Sequence, residues 1–193
     1  MKNQLKIFMF VIILGTLTSA LLLGMDLLTR DRIAANQEAL LKSSILDANA
    51  VSYNFTNIHS IFDEEVDVIE SEGLTFYVHK STGNISYTFA GGGVWGPIEG
   101  IITLQSDFQT IVAIRVLQQE ETPGLGGVVA EPRYLSQFVG KLMVPELIIA
   151  KNPEPNLDNE VDSITGATAT SNRFSLILNT NYAEHKAVWD RLS

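Results

Sequence analysis

The sequence predicts an α+β protein: a single N-terminal transmembrane helix, then one domain outside the membrane with antiparallel strands and a C-terminal helix. Three observations predict it. A charge-free apolar run lies near the N-terminus, an alternating pattern fills the middle of the chain, and a helical period closes it. The expected partition is a membrane anchor over 1–28, a helix and connecting segment over 29–72, and the main domain over 73–193. A chain of 193 residues can bury one sizeable core.

The apolar run is IFMFVIILGTLTSALLLGM, Ile7 to Met25. As a helix it reaches roughly 28 Å, close to the thickness of a bilayer's hydrocarbon core. A cleaved signal peptide has a shorter apolar region and a small-x-small cleavage site. The long run and the lack of such a site favour a retained anchor, and with 0 Cys no lipid can be attached through a thiol. Lys2 and Lys6 precede the run, which puts the N-terminus in the cytoplasm and everything after about residue 28 on the outside. Arg30 and Arg32 pull the other way, with Asp26 and Asp31 close by.

The net charge is −9, from 13 Lys+Arg against 22 Asp+Glu. No basic stripe is available to neutralise phosphates, which excludes nucleic acid as a partner. Charge-driven adhesion to an anionic membrane surface is excluded on the same ground. Without Cys there are no disulfides, thiolate metal sites or ordinary iron–sulfur ligation. A redox role would need an organic cofactor. His59, His79 and His185 lack ligand spacing, so no metal is expected and they read as ordinary surface or partly buried residues; Trp189 reads as core or interface.

TRDRIAANQEALLKSSILDA, Thr29 to Ala48, has no Gly or Pro and reads as a helix continuing from, or just after, the anchor. SYNFTNIHSIFDEEVDVIESEG reads as a polar connection with short elements. LTFYVHK and NISYTFA flank STG as one hairpin; IEGIITLQ and TIVAIRVLQ flank SDFQ as a second. EPRYLSQFVGKLM reads as a short helix, ELIIA as a strand and KNPEPNLDNE as a Pro/Asn-rich loop. From Ser171 to the end, Phe174, Ile177, Leu178 and Tyr182 fall at helical spacing, as one amphipathic helix or a broken pair.

Three stretches are candidates for chemistry. GGGVWGPIEG (Gly91 to Gly100) is either a glycine loop joining the hairpins or a place where a ligand reaches the backbone, with Trp95 packed on the core or lining the ligand. ETPGLGG (Glu121 to Gly127) carries Pro123 and Gly124 at the positions of a type II turn, which holds Leu125 out on a loop. Glu120 and Glu121 are adjacent and point opposite ways, so they are no catalytic acid pair. DSITGATATS (Asp162 to Ser171) lacks the lysine of a phosphate-binding P-loop. It reads either as a cap, with Thr170 or Ser171 opening the last helix, or as a phosphate cradle at a helix start with Gly166 and Ala167 leaving room.

Taken in order, these stretches resemble the covalent-flavin subunits of two related bacterial membrane complexes: RnfG of the Rnf complex, and NqrC of the Na+-translocating NADH:quinone oxidoreductase, Nqr. The pattern is Asp162-Ser-Ile-Thr165-Gly166-Ala167-Thr168, with ETPGLGG and the glycine–tryptophan loop before it. The resemblance covers nearly the whole chain and is weakest over about residues 45–72. It implies FMN joined through its phosphate to Thr168, with Thr165 and Thr170 as neighbouring hydroxyls. It implies Glu121, Thr122 and Leu125 near the isoalloxazine ring, Trp95 shielding it, and Asp162 recognised by a Mg-dependent flavin transferase that uses FAD. The implied function is electron transfer in an ion-translocating oxidoreductase (ferredoxin:NAD or NADH:quinone), as a redox subunit not catalytic alone, with other membrane subunits as partners. The short chain and RDRIAANQ after the anchor tip the resemblance slightly towards Rnf. Two other roles are compatible with the same fold: a flavin-free scaffold or assembly subunit, and a stand-alone exported flavoprotein.

Overall fold

The computed structural model describes residues 2–151 and 157–192. The chain forms two compact units, residues 1–39 and 40–193. Helix α1, Lys2–Ala48, runs through the first unit and supplies its last turns to the second. No Gly or Pro interrupts it after Gly24, so the expected helix over 29–48 is continuous with the apolar run. It is long and apolar enough to cross a membrane, and its apolar window is 0% buried. Two of its hydroxyls are satisfied within the helix: Thr18 donates to the Leu14 carbonyl at 2.9 Å and Thr29 to the Met25 carbonyl at 2.8 Å.

The second unit is built on a five-stranded antiparallel meander: β1 (Val66–Ser71), β2 (Leu74–His79), β3 (Ile85–Gly92), β4 (Pro97–Leu104) and β5 (Ile111–Gln118), in that spatial order. Both expected hairpins are present. The glycine loop between them is itself a hairpin turn, with Gly92 opposite Pro97. Alternation decides the faces. Ile85, Tyr87 and Phe89 of β3, with Ile98, Ile102 and Leu104 of β4, enter the main core. Ile101 meets a second, smaller core made by Ile45 and Leu46 of α1, by Val66, and by Ile58 and Phe62 of α2 (Ile58–Glu65). Between the strands on that side, Ser86 and Thr103 pair their buried hydroxyls at 2.8 Å.

The main core is closed by the C-terminal helix, Thr168–Leu192, a single helix and not a broken pair. It is α4 in chain order, after a short α3 (Pro132–Leu135). Its buried stripe is Thr170, Ser171, Phe174, Ile177, Leu178, Tyr182, His185 and Val188, the three-four spacing of a helix laid on a sheet. It lies close over β3: a Cβ on Gly91 would sit 2.5 Å from Ile177 Cγ1. At the far end His185 stacks on Tyr87 with centroids 4.1 Å apart, and Trp189 packs on Phe76 and Phe108. Burial lowers the His185 pKa, outweighing the hydrogen bond to the Asn181 carbonyl, which raises it.

The short elements expected before residue 73 and the strand expected in ELIIA are present, while the helix expected in EPRYLSQFVGKLM is shorter than its sequence suggests. The polar stretch before residue 73 contains α2 and an edge strand, β1, paired with β2 along its whole length. The helix expected in EPRYLSQFVGKLM is only the one turn of α3, followed by a 3-10 turn, Ser136–Phe138. The strand expected in ELIIA is β6, Ile148–Ala150, and it pairs in parallel with β7, Glu160–Asp162. The Pro/Asn-rich loop between them includes residues 152–156, which lie outside the described residues. Two of the three histidines, His79 and His185, are buried.

Phe174 is fully buried between Phe89 and Phe138. Phe174→Ala should lower the unfolding free energy by about 3–5 kcal/mol, read as a shift of the urea midpoint of the full chain in detergent.

Candidate functional site

The three stretches singled out in the sequence meet at one carboxylate. Glu121 follows β5 and is 4% exposed. Its Oε1 accepts the N–H groups of Val94, at 2.7 Å, and Trp95, at 3.0 Å, in the β3–β4 turn. Its Oε2 accepts the Thr170 hydroxyl, in the first turn of α4, at 2.7 Å. Burial pushes the Glu121 pKa up, but the donors from Thr170, Trp95 and Val94 outweigh it and hold the carboxyl below its ordinary value. Glu120, the preceding residue, is exposed, and its side chain lies along the same turn, with Oε2 2.6 Å from where a Cβ of Gly96 would be.

Two glycines make room for this tie. A Cβ on Gly93 would lie 2.5 Å from Glu121 Oε1. A Cβ on Gly126 would lie 2.6 Å from both Glu121 Oε2 and the Thr170 hydroxyl. The ETPGLGG turn has the expected form: Leu125 N–H donates to the Thr122 carbonyl at 3.1 Å, and Gly124 takes φ +73. Leu125 then reaches the third stretch, its Cδ2 3.3 Å from where a Cβ of Gly166 would be.

That third stretch starts α4 earlier than the cap reading requires. The helix opens at Thr168, so Thr170 and Ser171 lie inside its first turn and do not cap it. Their hydroxyls have other partners. Thr170 holds Glu121, while Ser171 Oγ accepts the Ile164 N–H at 3.0 Å and donates to the Ala167 carbonyl at 3.1 Å. Gly166, at φ +81, turns the chain into the helix. Ala167 is buried, whereas Thr165, Gly166 and Thr168 are exposed. Asp162 is exposed at the end of β7.

Thr168 stands at the edge of a surface cavity of about 330 Å³. Around it are the hydroxyl residues Ser163 and Thr165, the amide of Asn172, and Lys151. Near the Glu121 tie the surface is apolar: Trp95 is 72% exposed and Leu125 45%. Trp95 therefore has a fixed backbone and an open ring. Sequence reasoning missed the Val94 N–H, Lys151 and Asn172, because no local pattern links them to the motif. Among the described residues no cluster of His, Cys, Asp or Glu could hold a metal ion.

The donor set fits a phosphate-bearing aromatic ligand. The first N–H groups of α4 have no partner within the helix, and its dipole favours an anion there. The exposed apolar side chains offer a surface for a planar ring. The FMN-binding domain family matches residues 93–182, from the glycine loop into α4. It is similar to the NqrC component of the Na(+)-translocating NADH-quinone reductase of Pasteurella multocida, at 36% identity over 89 residues, 44% of this chain and 34% of that protein. The corresponding component of the Vibrio anguillarum reductase is 35% identical over 105 residues, 50% of this chain and 41% of that protein. The chain thus matches well under half the length of these curated relatives. In fold it is similar to the crystal structure of Shewanella oneidensis NqrC, with TM-score 0.67 and 19% identity over 77% of this chain and 93% of that one. It is also similar to the crystal structure of the same component from Parabacteroides distasonis, with TM-score 0.64 and 21% identity over 78% and 92%. These findings bear out the resemblance to the FMN-binding subunit family and the fold class read from the sequence.

The carboxylate tie has a pH signature. Because the folded Glu121 pKa lies below the ordinary 4.5, its contribution is complete above that value and is lost as pH falls through the folded pKa. In a Trp189→Phe background, Trp95 emission should report that release on acidification. Glu121→Gln, which can still bond Thr170 but carries no charge, should abolish this acid response. Gly126→Ala should release the tie at neutral pH, seen as a neutral-pH emission like that of the acidified parent.

Proposed function

We propose that the chain is an electron-transfer subunit that carries FMN as a phosphoester on Thr168, within a membrane ion-translocating oxidoreductase of the Rnf or Nqr type. The observation that carries this reading is Thr168 itself. It is the exposed first residue of α4, beside a surface cavity that Lys151, Ser163, Thr165 and Asn172 help to line, inside the stretch that matches the FMN-binding domain. The Asp162-to-Thr168 pattern and the similarity to NqrC proteins support it further.

Attachment is a phosphoryl transfer. The Thr168 hydroxyl oxygen bonds to the FMN phosphorus of FAD, the bridging P–O bond to AMP breaks, and the hydroxyl proton leaves with AMP. Threonine is a weak nucleophile unaided, and no residue at the motif is an evident base, so the activating base and Mg belong to a separate flavin transferase. Asp162, exposed ahead of the loop, is a recognition residue for that enzyme. The flavin supplies the redox chemistry. This chain's residues do the rest. Trp95 and Leu125 would bear on the ring, with Thr122 on the same turn as Leu125, and Glu121 ties the β3–β4 turn to the start of α4. The first N–H groups of α4 and the Thr165 hydroxyl would hold the phosphate end.

In the same reading, α1 anchors the protein among the other membrane components, with Lys2 and Lys6 on the cytoplasmic side and the FMN domain on the outer side. Which complex the chain serves is decided by the proteins that co-purify with it.

The full chain, expressed with a flavin transferase, should give a fluorescent band on a denaturing gel. Thr168→Ala should abolish the fluorescence and Thr165→Ala should retain it. Peptide mass spectrometry over residues 152–173 should find the FMN mass on Thr168. An unmodified Thr168 in protein from its own organism would overturn the proposal.

A further inference from the structure

Lys151 sits where a phosphate would need a cation. Of the residues lining the cavity beside Thr168, it alone is charged. The whole chain carries 22 acidic against 13 basic residues, so a cation at this spot is not background. The backbone fixes where it emerges. Ala150 lies opposite Asp162 in the parallel pair, and its carbonyl accepts the Ser163 N–H at 3.1 Å. Lys151 therefore leaves β6 at the root of the loop that leads to Thr168.

That loop is pinned at both ends. Ala167 N–H donates to the Ile164 carbonyl at 3.0 Å, and Ile164 N–H donates to Ser171 Oγ at 3.0 Å. The rigid walls leave the lysine side chain as the adaptable element. Among the described residues Lys151 enters no ion pair. The facing carboxylate, Asp162, has an interaction of its own.

We infer that Lys151 is the positioning cation for the phosphate end of the flavin, drawing the FAD pyrophosphate to the Thr168 hydroxyl and then pairing with the phosphodiester that remains. The inference rests on the flavin reading given above and adds a residue to it. The chemistry suits lysine: a point charge on a flexible stem can follow a phosphorus whose substituents change from pyrophosphate to diester. It also offsets the repulsion that an acidic chain imposes on an incoming pyrophosphate. The helix N–H groups and hydroxyls then supply direction, and Lys151 supplies charge.

The test uses the full chain in detergent with purified flavin transferase, FAD and Mg2+. Lys151→Gln should lower the specificity constant for flavin attachment about tenfold, as expected for loss of one charge-assisted contact. Lys151→Arg should recover the wild-type value to within about twofold, since it restores the charge. In the loaded proteins, the ³¹P resonance of the phosphodiester should move in Lys151→Gln and return in Lys151→Arg. A purely structural lysine would leave that resonance in place. If wild type is loaded on Thr168 and Lys151→Gln matches it in rate and resonance, this inference falls and the flavin reading stands. It falls equally if Lys151→Arg is as slow as Lys151→Gln. If wild type carries no flavin on Thr168, both readings fall.

Discussion

A buried carboxylate organises the whole site. Glu121 is removed from water and left charged, which is tolerable only because donors from two distant segments meet it. The dependence runs both ways. Without the carboxylate, the Val94 and Trp95 N–H groups and the Thr170 hydroxyl would each lose a partner, and the β3–β4 turn would lose its link to the start of α4. Gly93 and Gly126 are explained by the same tie, because a side chain at either position would occupy the space of the carboxylate oxygens.

The scaffold delivers these segments to one end of the domain. The meander puts the β3–β4 turn and the end of β5 at the same end of the sheet, and α4 crosses β3 so closely that Gly91 must lie under Ile177. Phe89, Phe138 and Phe174 interlock just inside that end of the helix. Rigid, buried groups thus hold the backbone, while Trp95, Leu125 and Thr168 are presented to the outside. Buried polar atoms set the geometry, and exposed apolar atoms form the contact surface.

Much of this architecture was legible because its signals are local. Alternating β-branched residues mark β2 to β5, and the Thr122-Pro123-Gly124-Leu125 turn is written in four consecutive residues. The Asp162-to-Thr168 pattern was equally readable. What escaped was non-local. Strand β1, VDVIES, carries two carboxylates that suit an exposed edge but give a weak strand signal, and only its pairing with β2 defines it. The start of α4 was misread because Thr170 and Ser171 look like caps, yet their hydroxyls are used across the fold, by Glu121 and by Ile164. The partners of Glu121 lie 26, 27 and 49 residues away, beyond any window of sequence pattern.

Helix α4 runs 25 residues from Thr168, with a continuous face pressed on the sheet. On the proposed reading, a ligand bonded to its first residue cannot diffuse away, and its local concentration at Trp95 and Leu125 is on the order of millimolar or above. Those two side chains can then be open and shallow. A noncovalent pocket would have to enclose its ligand to keep it, whereas a tethered ring can leave one edge bare for electrons to enter and leave.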